Sequence, residues 1–91
     1  MRPVFTRGFV HDYQRLPQSV QRRFDKALYF LLSDLRYRSL RSKKMEGQRD
    51  AEGRNIWEAR VSRTHRFTFV IDHNTYILYR VGPHDIERHP Q

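Results

Sequence analysis

Residues 56–88 read IWEARVSRTHRFTFVIDHNTYILYRVGPHDIER, and this stretch decides the fold. In residues 56–61 and 65–71 large apolar side chains alternate with polar ones, which is typical of half-buried β-strands. The turn-forming residues Asp72, His73 and Asn74 follow, and then a third strand-like segment at residues 75–81. The stretch therefore predicts a meander of three antiparallel strands.

Two helices are predicted upstream of the meander. Thr6 is a candidate cap for a first helix through about Leu16, and Pro17 ends it. The second helix is marked by an apolar stripe at helical spacing, formed by Val20, Phe24, Ala27, Leu28, Leu31, Leu32 and Leu35. With a short strand at residues 2–6, residues 1–91 predict a single α+β domain of order βααβββ. Its helices pack on one face of a small antiparallel sheet, and the other face is open.

The chain is strongly basic. Its 18 Lys and Arg against 10 Asp and Glu give a formal net charge of +8 in 91 residues, so we expect an acidic partner. Residues 36–66 hold ten of the 18 cations against four carboxylates. Within them, residues 36–54 contain few large apolar side chains and predict a loop with a short strand near residues 44–46. The basic surface is therefore expected in the middle of the chain.

Composition also bears on location and cofactors. No segment approaches the roughly 20 apolar residues that span a bilayer, and residues 1–4 do not begin a secretory signal. The chain has no cysteine, which agrees with a reducing compartment. Its five histidines lack the spacing that places two imidazoles on one helix face to bind a metal. We expect a cytoplasmic protein without membrane association, metal or small-molecule cofactor.

Strand alternation predicts which polar side chains share the face away from the helices. If the aromatic residues of the first two meander strands face the helices, then Glu58, Arg60 and Arg66 lie together on the open face. The third strand has apolar residues in both sets of alternate positions, so its phase is ambiguous. Arg80 could therefore lie on the open face or at its rim.

Three motifs in this order resemble the RelE/ParE superfamily of bacterial toxin–antitoxin toxins. KKMEG at residues 43–47 is similar to the Lys-x-Leu-x-Gly stretch before the family's second strand. Residues 57–69 are close to the Trp-x-x-Arg-x-x-x-x-His-Arg pattern of YoeB-type members. VGPHD at residues 81–85 resembles the C-terminal endings of other members. The resemblance covers essentially the whole chain.

RelE-like members are ribosome-dependent mRNA endonucleases, so the resemblance implies this activity. The RNA 2′-hydroxyl attacks the adjacent phosphate and leaves a cyclic phosphate and a 5′-hydroxyl, without a metal. At the matching positions, Arg66 would bind the phosphate, Arg60 would supply a second cation and His84 would act as the acid. Glu58 stands where RelE has a lysine and could be a carboxylate base. Asp85 could orient His84 or cap the turn.

The resemblance also implies partners: a cognate antitoxin, and mRNA and ribosomal RNA on the ribosome. Six further cations are expected to contact RNA phosphates, namely Arg41, Lys43, Lys44, Arg54, Arg63 and Arg80. The C-terminal tyrosine that many members stack on a base is missing after Asp85. Two other functions stay open: a ParE-like inhibitor of DNA gyrase, and a non-catalytic nucleic-acid-binding module. The expected convergence of Arg60, Arg66 and His84 favours the endonuclease.

Overall fold

The computed structural model describes residues 1–91 as one five-stranded sheet with two helices. The elements in chain order are β1 (Arg2–Phe5), α1 (Arg7–Gln14), α2 (Gln18–Ser33), the short 3₁₀ helix η1 (Arg38–Leu40), β2 (Lys43–Arg49), β3 (Asn55–Arg60), β4 (His65–Asp72), β5 (Thr75–Pro83) and a second 3₁₀ helix η2 (His84–Arg88). The strand order is β1-β5-β4-β3-β2. β1 runs parallel to β5, and all other neighbours are antiparallel. Neither α-helix combines the length and the apolar character needed to cross a bilayer.

The two helices cover one face of the sheet, as predicted. The Thr6 hydroxyl accepts a hydrogen bond of 3.1 Å from the backbone N–H of Phe9, which caps α1. The Phe24 ring of α2 meets the Phe67 ring of β4 edge-on, at 5.2 Å between centroids. Phe24, Phe67 and Leu31 are all buried. The apolar stripe of α2 is therefore core, and the α+β fold class is confirmed.

A bulge in β5 explains why the alternation of that strand was ambiguous. Thr68 of β4 lies opposite Arg80, whereas its neighbour Phe69 lies opposite Leu78, so Tyr79 is the extra residue. The bulge shifts the alternation by one position. Leu78 before it and Val81 after it are consequently both buried in the core with the helices. Arg80 lies on the other face.

The prediction of an open second face is wrong for the middle of the sheet. Thr68 and Val70 are completely buried there, although they face away from the helices. The C-terminal tail covers them: Ile86 of η2 is buried, and the Thr68 hydroxyl donates a 2.6 Å hydrogen bond to the carbonyl of Pro90. The tail packs closely, because a Cβ added to Gly82 would lie 2.9 Å from a methyl group of Ile86. Covering apolar residues in this way offsets the small size of the main core.

Residues 36–54 are more regular than the predicted loop. Lys43–Arg49 form the full strand β2, which pairs with β3 through an irregularity between residues 44 and 49. Buried Asp50 holds the turn that follows, since its carboxylate accepts hydrogen bonds from the backbone N–H of Arg54 and Glu52. Low apolar content concealed β2 because it is an edge strand with an exposed, charged surface.

Candidate functional site

Strand register brings the predicted site residues to the end of the sheet where η2 begins. Arg60 of β3 lies opposite Arg66 of β4, and Arg66 lies opposite Gly82 of β5. Glu58 lies opposite Lys43 of the edge strand β2. His84 follows Gly82 by two positions and opens η2. These residues therefore meet where the C-terminal tail crosses the sheet.

A pair of carboxyl groups lies beneath the tail. Glu58 is only 5% exposed, and burial first, then a hydrogen bond to Glu87 and the charge of that group, raises the pKa of its carboxyl. The pKa of Glu87 is lowered, first by the hydrogen bond from Glu58. The directions of the two shifts mean that Glu58 keeps its proton to a higher pH than Glu87 does. Lys43 adds a long contact of 3.6 Å between its ammonium and the Glu58 carboxyl.

Histidine and arginine complete the cluster around this pair. His84 Nδ1 lies 3.7 Å from a carboxylate oxygen of Glu87, and the His84 side chain is 53% exposed. The positive charge of Arg66 favours the ionised forms of Glu58 and Glu87. The cluster thus combines two cations, a pair of neighbouring carboxyl groups and an accessible imidazole. Its members are Lys43, Glu58, Arg66, His84 and Glu87.

Arg66 is held in place by the turn between β3 and β4. Its Nη1 atom donates hydrogen bonds to the carbonyls of Ser62, at 2.7 Å, and His65, at 2.9 Å. The remaining guanidinium N–H groups have no hydrogen-bond partner in the protein, and no carboxylate forms an ion pair with this side chain. Because a guanidinium has five donors in a planar fork, Arg66 retains donors for an anionic group.

Arginines without counter-ions surround Arg60. Its pKa is lowered, by desolvation first and then by the charges of Arg41, Arg66, Arg63 and Arg23. None of these five side chains forms a salt bridge. Several like charges held close together without carboxylates are a typical anion-binding arrangement. Arg41 and Arg63, expected to contact RNA, therefore lie beside the catalytic candidates.

Two predicted RNA ligands are neutralised instead. Arg54 forms ion pairs with Asp50, Glu52 and Asp72, at 2.7, 3.2 and 3.1 Å. Arg80 contacts Asp12 of α1 at 2.6 Å and donates to the carbonyl of His89 at 2.9 Å. Arginines with such partners would have to give them up to bind phosphate. Their prediction as RNA ligands is not supported by this geometry; they hold the turn, α1 and the tail in place.

Two other predicted residues lie away from the cluster. Lys44 points to the opposite face of the sheet from Lys43, and its ammonium lies 5.7 Å from the Trp57 ring centroid. Asp85 is exposed and makes no hydrogen bond to His84. Its charge acts on Arg80 instead. Of the two roles expected for Asp85, orienting His84 or capping the turn, the first has no hydrogen bond to support it.

Sequence reasoning did not place Glu87 or His65 among the site residues. The His84–Glu87 spacing was the available signal, because residues three apart lie on one face of a 3₁₀ helix. It could be used only if residues 84–88 were known to be helical. His65 is half-buried, and its pKa is lowered by desolvation first and then by His84. The site therefore has a second imidazole near the first.

Comparison with solved structures identifies the fold. The YoeB/ParE toxin from Agrobacterium tumefaciens superposes with a TM-score of 0.74 at 16% identity, covering 92% of this chain and 99% of that one. The RelB–RelE antitoxin–toxin complex from Methanococcus jannaschii gives 0.71 at 19% identity, covering 90% and 91%. The isolated E. coli RelE toxin gives 0.66 at 17% identity, covering 89% and 81%. No protein-family model matches the chain, and no curated protein matches it in sequence. The chain therefore has the fold of the RelE and YoeB toxins, as its motifs predicted.

Proposed function

We propose that this chain is the toxin of a toxin–antitoxin system and acts as a metal-independent endoribonuclease on ribosome-bound mRNA. The observation that carries the proposal is the convergence of Arg66, His84 and the Glu58–Glu87 pair where η2 crosses the sheet. Structures of this fold include toxin–antitoxin complexes, which supports an antitoxin partner. The site holds each kind of group that RNA cleavage by an internal hydroxyl needs.

The proposed chemistry assigns one role to each group. The Glu58–Glu87 pair takes the proton of the 2′-hydroxyl, and the freed oxygen attacks the adjacent phosphorus. Glu87 presents the more accessible carboxylate of the pair, with 35% of its side chain exposed against 7% for Glu58. Arg66 stabilises the additional charge of the phosphorane. His84 in its protonated form gives a proton to the departing 5′-oxygen, which leaves a 2′,3′-cyclic phosphate.

Arg60 is assigned to the neighbouring phosphate. It lies directly across from Arg66 on the same face and has no carboxylate partner. A second guanidinium there would hold the strand in register for attack in line with the leaving oxygen. Lys43 is assigned to the Glu58 side of the site, where its ammonium favours the ionised carboxyl.

Single-turnover cleavage of ribosome-bound mRNA tests the proposal. Arg66→Ala should lower the rate about 10²- to 10³-fold through loss of charge stabilisation. His84→Ala should lower it about 10²- to 10⁴-fold through loss of the acid. Both variants should still bind the antitoxin. Arg66 also holds the turn at residues 62–65, so each variant needs a thermal melt, and Arg66→Lys supplies a charged alternative.

His89→Ala is the matched control, because that residue is exposed and its side chain makes no hydrogen bond or ion pair. It should cleave like the wild type. Full cleavage by folded Arg66→Ala and His84→Ala would refute the proposed site. Growth arrest with intact mRNA but blocked gyrase would instead assign the chain to the gyrase-inhibiting class.

A further inference from the structure

A second basic feature lies beside the site, and Arg60 is the one residue that the two share. It is an open groove of about 900 Å³ between α2, η1 and the turn that joins β3 to β4. Six of the residues that line it are cations: Arg23, Lys26, Arg38, Arg41, Arg60 and Arg63. The lining contains no carboxylate. We call this feature the basic groove.

The charge of the basic groove is not compensated within the protein. None of its six cations forms a salt bridge with an Asp or Glu, whereas the arginines at residues 54 and 80 both do. The lowered pKa of Arg60 shows that burial and neighbouring arginines disfavour its charged form. This repulsion between the cations is relieved when a polyanion binds in the groove. The polyanion releases its own counter-ions as it binds.

An aromatic stack forms one wall of the basic groove. The Phe30 and Tyr37 rings lie parallel within 5°, with their centroids 4.0 Å apart. The Lys26 ammonium is 5.8 Å from the Phe30 centroid. Tyr37 is 41% exposed, and it also borders a smaller adjoining hollow that Trp57 lines. An exposed ring backed by a second ring is a preformed surface on which a flat base can stack.

The backbone is strained at Arg41, which directly follows η1 and lines the basic groove. Arg41 has φ +48° and ψ +41°, the left-handed conformation that residues other than glycine rarely adopt. Glycine would adopt this conformation without cost. An arginine is found there instead, with its side chain on the groove. This placement agrees with a binding role.

We propose that the basic groove binds single-stranded RNA, with its cations on successive phosphates and one base stacked on Tyr37. Unpaired cations alone would also suit an acidic peptide, but a stacked, exposed ring is the element that distinguishes single-stranded nucleic acid. The groove leads to the proposed cleavage site, since the carbonyl of Arg63 lies 3.4 Å from His84 Nε2. The inference thus rests on the proposed function and extends it to the path of the substrate strand.

Binding of a fluorescent 2′-O-methyl oligoadenylate to the full chain tests the inference. This RNA has no free 2′-hydroxyl and cannot be cleaved, so its binding is measured apart from catalysis. Tyr37→Leu should weaken binding about tenfold, in the range expected for one stacked base. Tyr29→Leu is the control, because Tyr29 is 69% exposed but does not line the groove. It should change affinity less than about twofold.

Charge is tested by a triple variant and a matched triple control. Replacing Arg23, Arg38 and Arg41 by Gln should reduce the slope of log K against log salt by about 2, at roughly 0.7 per phosphate contact. Replacing Arg2, Arg7 and Arg15 by Gln removes the same charge outside the groove and should leave most of the slope. Equal losses in both triples, or no effect of Tyr37→Leu, would overturn the inference.

Two further outcomes separate the possible failures. If polyglutamate binds the chain and displaces the RNA, and Tyr37→Leu leaves both affinities unchanged, the groove is a site for an acidic peptide and the inference is wrong. If the groove variants weaken RNA binding as expected but His84→Ala still cleaves mRNA fully, the groove assignment stands and the proposed active site fails.

Discussion

Asp50→Asn should destabilise the fold more than its small change in shape suggests. The side chain of Asp50 is fully buried. One of its carboxylate oxygens accepts from the guanidinium Nε of Arg54, at 2.7 Å, and from the hydroxyl of Tyr79, at 3.1 Å. The amide nitrogen of Asn cannot accept these bonds. The donors of Arg54 and Tyr79 would therefore face an N–H group that is itself a donor. The perturbation therefore acts on the junction between the β2–β3 turn and β5.

The expected loss is about 2 to 4 kcal/mol. Each hydrogen bond to a charged group contributes roughly 1.5 to 3 kcal/mol, and the bond from Tyr79 becomes a buried unpaired donor. The full 3 to 5 kcal/mol for breaking a buried ion pair is about an upper limit, because Arg54 keeps its contacts with Glu52 and Asp72. In a domain this small, about 3 kcal/mol corresponds to a fall in Tm of more than about 10 °C.

The loss should also depend on pH. Burial alone would raise the pKa of Asp50, but hydrogen bonds from Arg54 and Tyr79 outweigh it and lower the pKa below the ordinary value of 3.8. A carboxyl with a lowered folded-state pKa contributes stability above its unfolded-state pKa and loses it as the pH falls through the folded-state value. The difference between wild type and Asp50→Asn should therefore shrink in acid.

Urea unfolding at neutral and acidic pH measures both effects. Glu52→Gln is the control, since Glu52 is 65% exposed and its ion pair with Arg54 should contribute less than about 1 kcal/mol. A loss below about 1 kcal/mol for Asp50→Asn at neutral pH would contradict the hydrogen-bond argument. A difference that stays constant into acid would contradict the pKa argument.

Two more predictions concern the tail and the carboxyl pair. Glu58→Gln should be at least as stable as the wild type at neutral pH, because the raised pKa of Glu58 means that its contribution is present below the unfolded-state pKa and is lost as the pH rises through the folded-state value. The stability advantage of Glu58→Gln should disappear in acid. Its rate of mRNA cleavage should be lower than that of the wild type, because the carboxyl pair is the proposed base. A variant that is less stable than the wild type at neutral pH would contradict the raised pKa of Glu58. Gly82→Ala should loosen η2, since the new Cβ would lie 2.9 Å from Ile86. Amide exchange at residues 84–91 should therefore increase. If this contact is the cause, Gly82→Ala should increase exchange less when Ile86→Ala is already present than it does in the wild type.

The sequence allowed prediction of those parts of the fold that depend on local pattern. Phe67 and Phe69 alternate with the polar residues Arg66 and Thr68 and are buried as predicted, because a half-buried strand requires that period. Thr6 and the turn at residues 72–74 depend on local hydrogen bonding, and both occur where expected. The bulge at Tyr79 could not be predicted, because both phases of β5 place apolar side chains on the core face. Only pairing with β4 decides between them.

Only part of the geometry of the candidate site could be predicted from the sequence. Strand alternation placed Glu58, Arg60 and Arg66 on one face, since register along a strand is a local property. Whether a cation stays free depends on contacts distant in sequence, and Asp12 neutralises Arg80 from 68 positions away. No local pattern reports such a contact.

The C-terminal tail accounts for most of what sequence reasoning missed, for a physical reason. Residues 84–91 have no strand or helix periodicity, yet Ile86 and Pro90 are buried against the sheet. Their position depends on Thr68, which donates to Pro90, and on Gly82, which leaves space for Ile86. Strand alternation places Thr68 on the face away from the helices, and only its complete burial reveals that a segment must cover it. The same packing brings Glu87 onto Glu58 and His84 beside Glu87, so the tail that completes the core also assembles the proposed acid and base.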